Sequence, residues 1–407
     1  MLSHTHPSAP RFKFLSWIFL LYFFSPRLLV RHHGGSLSRT LLTGKEGEKT
    51  TAVEIHRHWT RHSYPRSDCS RGSRWLHLVK QEEEVLGKHV SYGRRLQERS
   101  EIAPILLWHI IYPDGSLLPN CGNSLENVIR DIQLLSQLTK RLRLYGADCN
   151  QTALVLEAIK RTNVDMEVFL GNYVLPDDIT AYERQRDVIK DAIQTYGTDH
   201  IAGITVGNEF MLNYLTKNQV KDPDSAVADE GAPILIANIK DTRDMLATMS
   251  LPKNIPVGNS DAGSYFNKQV LGAIDYGMAN VHAWFANTTA EGASDWVLKF
   301  FDSTNVQPAS QLPNHPKMYI AETGWPTKSS DAGNANNGGS DASITSLQTF
   351  LDTFICTANA RGVPYFYFEC FDEKWKDLKY GGVEGWWGLF DADRTLKDIK
   401  IPNCGAL

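Results

Sequence analysis

The chain has 407 residues, room for one large domain with an extension or for two domains, and its 42% hydrophobic and 10% aromatic content suffices for a packed core. Its net charge of −4 hides an asymmetry: residues 1–100 hold 17 Lys and Arg against 8 Asp and Glu, and the remainder holds 25 against 38. An acidic body repels phosphate, which argues against nucleic acid as its partner.

The apolar run Phe14–Phe24, preceded by Arg11 and Lys13, has the length of a signal-peptide core and falls short of the ~20 residues that span a bilayer. Residues 1–30 are therefore expected to be a secretory signal or an N-terminal membrane anchor. Residues 31–100 show neither helical period nor strand alternation and are rich in Arg, His, Ser and Gly, which reads as a low-order basic linker. His32, His33, His56, His58 and His62 lack carboxylate or cysteine partners at ligand spacing, so no metal is expected there. The cysteines at 69, 121, 149, 356, 370 and 404 form no C-x-x-C pair, and in an oxidising compartment they would form long-range disulfides of undetermined connectivity. Sequons at Asn150 and Asn287 are compatible with a secreted glycoprotein.

From residue 101 apolar runs alternate with amphipathic stretches, the pattern of a βα-repeat fold. Ile105–Ile111 supplies a first strand. Asn123–Glu126 resembles a capping box, and Leu125, Val128, Ile129, Ile132, Leu135 and Leu138 recur at helical spacing behind it. Arg141–Gly146 is a second strand, followed by a helix over 150–162; Met166–Gly171 is a third, followed by a helix over 180–196. Ile201–Val206 is a fourth, running into Glu209, with a helix over 233–248. Ile255–Gly258, Ala279–Trp284 and Lys317–Ala321 are the fifth, sixth and seventh, and Glu322 follows the last of these. A helix over 342–360 leads to an eighth strand over Gly362–Glu369. Eight such repeats in residues 101–407 predict a single (β/α)₈ barrel, of α/β class. No glycine-rich phosphate turn favours the alternative open, doubly wound sheet.

In a (β/α)₈ barrel the site lies at the C-terminal ends of the strands, where Glu209 and Glu322 would face one another. Two facing carboxyls suit glycosidic cleavage, one protonating the leaving oxygen and the other attacking or activating water. Strand ends are also commonly polar, so the pair alone leaves both readings open. Competing chemistries lack their residues. Gly258-Asn-Ser-Asp-Ala262 misses the final glycine of a serine elbow, and neither a His-Glu-x-x-His helix nor a phosphate-binding loop occurs. Cys356, inside an amphipathic helix, suits packing or half a disulfide better than nucleophilic attack.

Arg143–Asn150, Thr205–Glu209, Glu322–Pro326 and Glu369–Lys376 together resemble glycoside hydrolase family 17, in particular the fungal cell-wall β-1,3-glucanases and glucanosyltransferases. The likeness runs from about residue 115 to Cys404, with the motifs in order. It departs at the first strand, where Trp108–Gly115 keeps only Tyr112-Pro113 of the usual text. The resemblance implies a retaining enzyme acting on β-1,3-glucan, polysaccharide or oligosaccharide, with Glu209 as acid/base and Glu322 as nucleophile. It further implies that Asn208 binds the sugar 2-hydroxyl and that Glu373 and Lys376 support the acid/base region. Tyr145, Trp284, Trp325, Trp386 and Trp387 are candidate sugar platforms, with Trp325 foremost by its place in the motif. No cofactor or metal is expected, and the protein is expected to act as a monomer, secreted or held in the cell wall. The competing reading is a non-catalytic, glucan-binding structural wall protein.

Overall fold

The computed structural model describes residue 118 and residues 121–404; the leader, the basic linker with its histidines and Cys69, and the first strand expected over Ile105–Ile111 lie outside them. Among the described residues seven strands form one parallel sheet in chain order: β1 (Arg141–Arg143), β2 (Glu167–Asn172), β3 (Ile201–Asn208), β4 (Val257–Ala262), β5 (Tyr276–Asn280), β6 (Lys317–Thr323) and β7 (Tyr365–Tyr367). Helices Leu125–Leu135, Gln151–Thr162, Ile179–Tyr196, Ala226–Ala247, Ala290–Phe301 and Ile344–Ala360 alternate with the strands and cover the sheet.

Ring contacts show how far the sheet curls. Phe169 on β2 meets Tyr276 on β5, Tyr319 on β6 and Phe366 on β7 edge-on, at centroid distances of 5.2, 5.6 and 5.7 Å. Strands three to five places apart in the order touch only if the sheet rolls into a nearly closed barrel. These rings fill the barrel interior with Met278 and Ala321, while a larger apolar layer separates strands from helices. The α/β barrel read from the sequence is therefore the fold observed.

Local chemistry explains the boundaries, including those that differ from expectation. Ser124 caps the first helix, and its Oγ accepts from Asn127 N, so the cap reaches Asn127 and leaves Glu126 one position short of a capping box. The helix expected from 233 begins a full two turns earlier at Ala226, where Ser225 Oγ accepts from Ala228 N, and it carries Pro233 inside. β5 lies at Tyr276–Asn280, upstream of the expected Ala279–Trp284, and residues Ala283–Ala286 form a 3₁₀ turn. Trp284 is buried because its ring packs on Trp325 at 5.4 Å, not because it belongs to a strand.

Four of the six parallel pairings slip by one residue, and two of these slips, between β3 and β4 and between β5 and β6, matter for the rim. Thr205 pairs with Gly258 but Asn208 with Ser260; Ala279 pairs with Ile320 but Asn280 with Glu322. One extra residue in a strand turns every following side chain to the other face. Asn208 therefore shares the inward face with Thr205, whose hydroxyl meets Tyr276 Oη at 2.9 Å inside the barrel. Glu322 likewise turns in beside Asn280. Gly207, at φ 84°, takes up the slip between β3 and β4 in a backbone region that side chains disfavour. Gly324 leaves no room for a side chain, since a Cβ there would lie 1.9 Å from Phe368 O.

Disulfides join Cys121 to Cys149 and Cys356 to Cys404 across 28 and 48 residues of chain, and Cys370 is a buried free thiol. Cys356 is thus half a disulfide. The second bridge ties the tail to the helix before β7. Replacing both Cys356 and Cys404 by Ala is expected to destabilise the fold by about 2–4 kcal/mol, through loop entropy returned to the unfolded chain. A lower urea midpoint, with a slope no shallower than that of the wild type because the uncrosslinked chain exposes more surface on unfolding, checks this.

Candidate active site

Glu209 sits in a tight turn between β3 and the helix Phe210–Lys217. Its backbone is left-handed at φ 55°, its N–H donates to Ser260 O at 3.1 Å, and its carbonyl accepts from Asn213 N at 3.0 Å. Clamped on both sides, the residue has its side chain set at the barrel mouth, where it remains partly exposed. Glu322, on β6, is buried at the same end.

Between them lies Arg143 from β1, 1% exposed. Its Nη1 donates to Ala321 O and to Glu322 Oε1, each at 3.2 Å. Its Nη2 donates to Asn208 Oδ1 and to Ser260 Oγ, each at 2.7 Å. Asn280 Nδ2 donates to Glu209 Oε1 at 3.0 Å and approaches Asn208 Oδ1 at 3.4 Å. Tyr145 donates its hydroxyl proton to Glu322 Oε1, and His282 Nε2 lies 3.2 Å from Glu322 Oε2. One continuous polar network therefore links the two glutamates through Asn280, Asn208 and Arg143.

The two carboxyls have opposite electrostatic surroundings. Burial pushes Glu209 up to about 8, the Glu322 charge adds to this, and the Asn280 hydrogen bond opposes it. Burial also acts to raise Glu322, yet the His282 hydrogen bond, the Arg143 charge and the Tyr145 hydroxyl together hold it below the usual carboxylate range. Near neutrality Glu209 carries a proton and Glu322 a charge. This is a proton donor beside an anion, the pairing that divides acid from nucleophile in carboxylate enzymes.

Asn208 lies at the mouth with its Oδ1 held by Arg143, which directs its amide nitrogen away from that contact. Tyr145 is there too, as a hydrogen-bond donor to Glu322 with the Arg143 guanidinium 4.5 Å from its ring centre, and not as an open platform. Glu373 and Lys376 lie deep: Lys376 Nζ is 2.5 Å from Glu373 Oε2 and 2.7 Å from Glu369 Oε2, all three buried. A surface ion pair is thereby excluded. Burial raises both carboxyls, Glu373 to about 7, against the pull of Lys376.

Most of the expected aromatic platforms are structural. Trp325 is 0% exposed, stacks on Phe350 at 6.3 Å and donates its indole N–H to Asp341 O at 3.0 Å. Trp284 packs against it, and Trp387 is wedged among His282, Phe285 and Phe368. An indole ring completes the apolar layer better than any smaller side chain, which accounts for their burial. Trp386 stays half-exposed with the Lys328 ammonium 4.2 Å over its ring, and Phe285, 49% exposed, stands on the rim beside His282.

Sequence reasoning missed Arg143, Ser260, Asn280, His282, Glu369 and Phe285 as site residues. A signal existed for Arg143, a charge in the apolar run Arg141-Leu-Arg-Leu144 that a buried strand tolerates only with buried partners. Among the described residues no group of three His, Cys, Asp or Glu is placed to hold a metal, and no helix is long and apolar enough to cross a membrane.

Residues 112–388 match the BtgE/BtgC glycoside hydrolase domain family. The probable glucan endo-1,3-beta-glucosidase btgC of Aspergillus terreus is 36% identical over 308 residues, covering 72% of this chain and 45% of that protein. The glucan endo-1,3-beta-glucosidase btgC of Emericella nidulans is 33% identical over 311 residues, covering 73% of this chain and 45% of that protein. The chain thus spans about 45% of the length of these curated relatives. The crystal structure of a glycoside hydrolase family 17 beta-1,3-glucanosyltransferase from Rhizomucor miehei shares the fold at TM-score 0.58 and 22% identity, over 74% of this chain and 97% of that one. An endo-laminarinase from Formosa does so at 0.59 and 19%, over 73% and 86%.

The opposed surroundings of the two glutamates generate a pH prediction. Activity that needs Glu209 protonated and Glu322 ionised falls as pH rises through about 8, and falls again as pH drops below the usual carboxylate range. The profile of kcat/KM should therefore be a bell centred on the acid side of neutrality. Arg143→Met removes the cation that favours ionised Glu322, so its acid limb should move to higher pH; an unmoved limb would refute the electrostatic role.

Proposed function

The chain belongs to the BtgE/BtgC glycoside hydrolase domain family, and we propose that it cleaves β-1,3-glucan with retention, as enzymes of glycoside hydrolase family 17 do. The observation that carries this reading is the Arg143-centred network, which gathers the two glutamates at one end of the barrel, where burial favours the neutral form of Glu209 and the network favours the anion of Glu322. A protein that only binds glucan has no need of a proton donor opposed to an anion, so the structural-wall-protein reading is the weaker one.

In this mechanism Glu209 gives its proton to the glycosidic oxygen while Glu322 attacks the anomeric carbon; the C–O bond breaks and a glycosyl-enzyme forms. Glu209, now a carboxylate, takes a proton from the incoming hydroxyl, which displaces Glu322. Tyr145 and His282 hold Glu322 in its attacking position, and Arg143 offsets its charge until it is spent on the new bond. Asn208, its carbonyl turned to Arg143, presents its amide N–H₂ to a sugar hydroxyl. Water or a second sugar serves as acceptor, according to how well the acceptor side excludes water. Trp325 and Trp387 are buried, and the exposed rings of Phe285 and Trp386 are aromatic surfaces that suit this task. The two disulfides suit an oxidising environment, and we place the protein outside the cell or in its wall.

Incubation of the full chain with a β-1,3 oligosaccharide tests the reading. The first-formed reducing ends should be β by NMR, and an α product would mean inversion and overturn it. The two carboxyl groups should lie about 5–5.5 Å apart in a crystal of the complex with substrate, as double displacement requires. Glu322→Gln should fall to background, and Glu209→Gln should lose about 10²–10⁴-fold in kcat/KM on oligosaccharide. Products longer than the starting chain would establish transfer beside hydrolysis.

A further inference from the structure

Glu209 occupies the N-cap position of the helix Phe210–Lys217, yet its side chain makes no capping hydrogen bond. In most helices the N-cap side chain accepts from the second or third helical N–H, which otherwise lacks a partner. Here those donors belong to Met211 and Leu212. Met211 N donates to Asp261 Oδ2 at 2.8 Å and Leu212 N to Asp261 Oδ1 at 3.2 Å, while Ala262 N also donates to Oδ1 at 2.9 Å. Asp261 lies on the neighbouring strand β4 and is 0% exposed. Its strand neighbour Ser260 points inward to Arg143 and Asn208, so alternation turns Asp261 outward, to the helix side of the sheet.

We propose that Asp261 is the positioning residue for Glu209: it caps the helix from the adjacent strand, which leaves the Glu209 carboxyl at the barrel mouth to exchange protons with substrate. Were Glu209 to cap its own helix, its carboxyl would be ionised by two N–H donors and turned away from the mouth. Delegating the cap separates the two tasks. The placement has an electrostatic consequence. Asp261 contributes to raising Glu209, together with burial and the Glu322 charge, while Asn280 and Arg143 act in the opposite direction. Tyr173 also faces Glu209, and Tyr265 faces Asp261. Burial raises Asp261 itself to about 7, against the three backbone donors that favour its anion. This inference rests on the proposed acid role of Glu209.

The test compares the full-length wild type with Asp261→Asn, an isosteric change that removes the charge and weakens the cap. The variant is read on two substrates: a β-1,3 oligosaccharide, whose leaving sugar needs a proton, and a nitrophenyl glycoside of it, whose leaving group does not. Glycosylation of the oligosaccharide should slow by about tenfold or more, that of the aryl glycoside by less than about twofold, because only the former uses the general acid. The alkaline limb of kcat/KM should also shift to lower pH. Equal losses on both substrates, or an unmoved limb, would overturn the proposal.

Carboxyl ¹³C NMR, with the Glu209 signal assigned by its loss in Glu209→Gln, reads the same coupling without turnover. The Glu209 titration should move to lower pH in Asp261→Asn. If that variant does not fold, the wild-type Glu209 signal should show two inflections, its own and that of Asp261; a single inflection would refute the coupling. A wild type that keeps the coupling but cleaves neither substrate would defeat the proposed glucanase activity instead.

Discussion

A guanidinium buried on the axis of the barrel organises this molecule. Arg143 has almost no contact with solvent, so its charge is tolerable only with partners on every side. Those partners come from β3, β4 and β6: the Asn208 amide oxygen, the Ser260 hydroxyl, the Ala321 carbonyl and the Glu322 carboxylate. The ion pair contributes little as a source of stability, since desolvation of both ions offsets much of their attraction. Its value lies in geometry. A planar donor fork reaching three strands fixes where Asn208 and Glu322 stand, and through Asn280 it connects them to Glu209.

The strands deliver those side chains only because their pairing is imperfect. An unbroken parallel register would turn Asn208 and Glu322 outward, into the apolar layer under the helices. The slips between β3 and β4 and between β5 and β6 turn both inward, and Gly207 provides the backbone freedom for the first. Glu209 follows in a left-handed turn whose N–H and carbonyl are both tied down. Local departure from ideal strand geometry is what aims the two carboxyl groups and Asn208.

Burial then assigns opposite states to like groups. Glu209 has one amide donor and lies near two other carboxylates; Glu322 has a guanidinium, a tyrosine hydroxyl and an imidazole. A second buried cluster, Glu369 and Glu373 around Lys376, continues beneath the rim, with the Lys376 ammonium 4.7 Å from the ring centre of Phe368. Phe368 in turn meets His282 at 5.2 Å. Charge and ring packing thus support the imidazole that touches Glu322.

Much of this was legible in the chain. Apolar runs and helical spacing, both local properties, determined the seven described strands to within a few residues and placed Glu209 and Glu322 at strand ends. They determined most of the helices between them, but they started the helix before β4 two turns late and missed Ala290–Phe301. The motif around Glu322 pointed to the correct strand, yet it promoted Trp325 as a sugar platform. Composition cannot separate an indole that packs on Phe350 from one that faces solvent. The partners of Arg143 were equally hidden, because β1 meets β6 only once the sheet has rolled up. A one-residue slip leaves no trace in an alternating pattern, although it decides which face a side chain joins. Local sequence thus determined the elements and their order; curl, slip and burial, which exist only when distant strands are in contact, decided which residues meet at the mouth and which glutamate holds the proton.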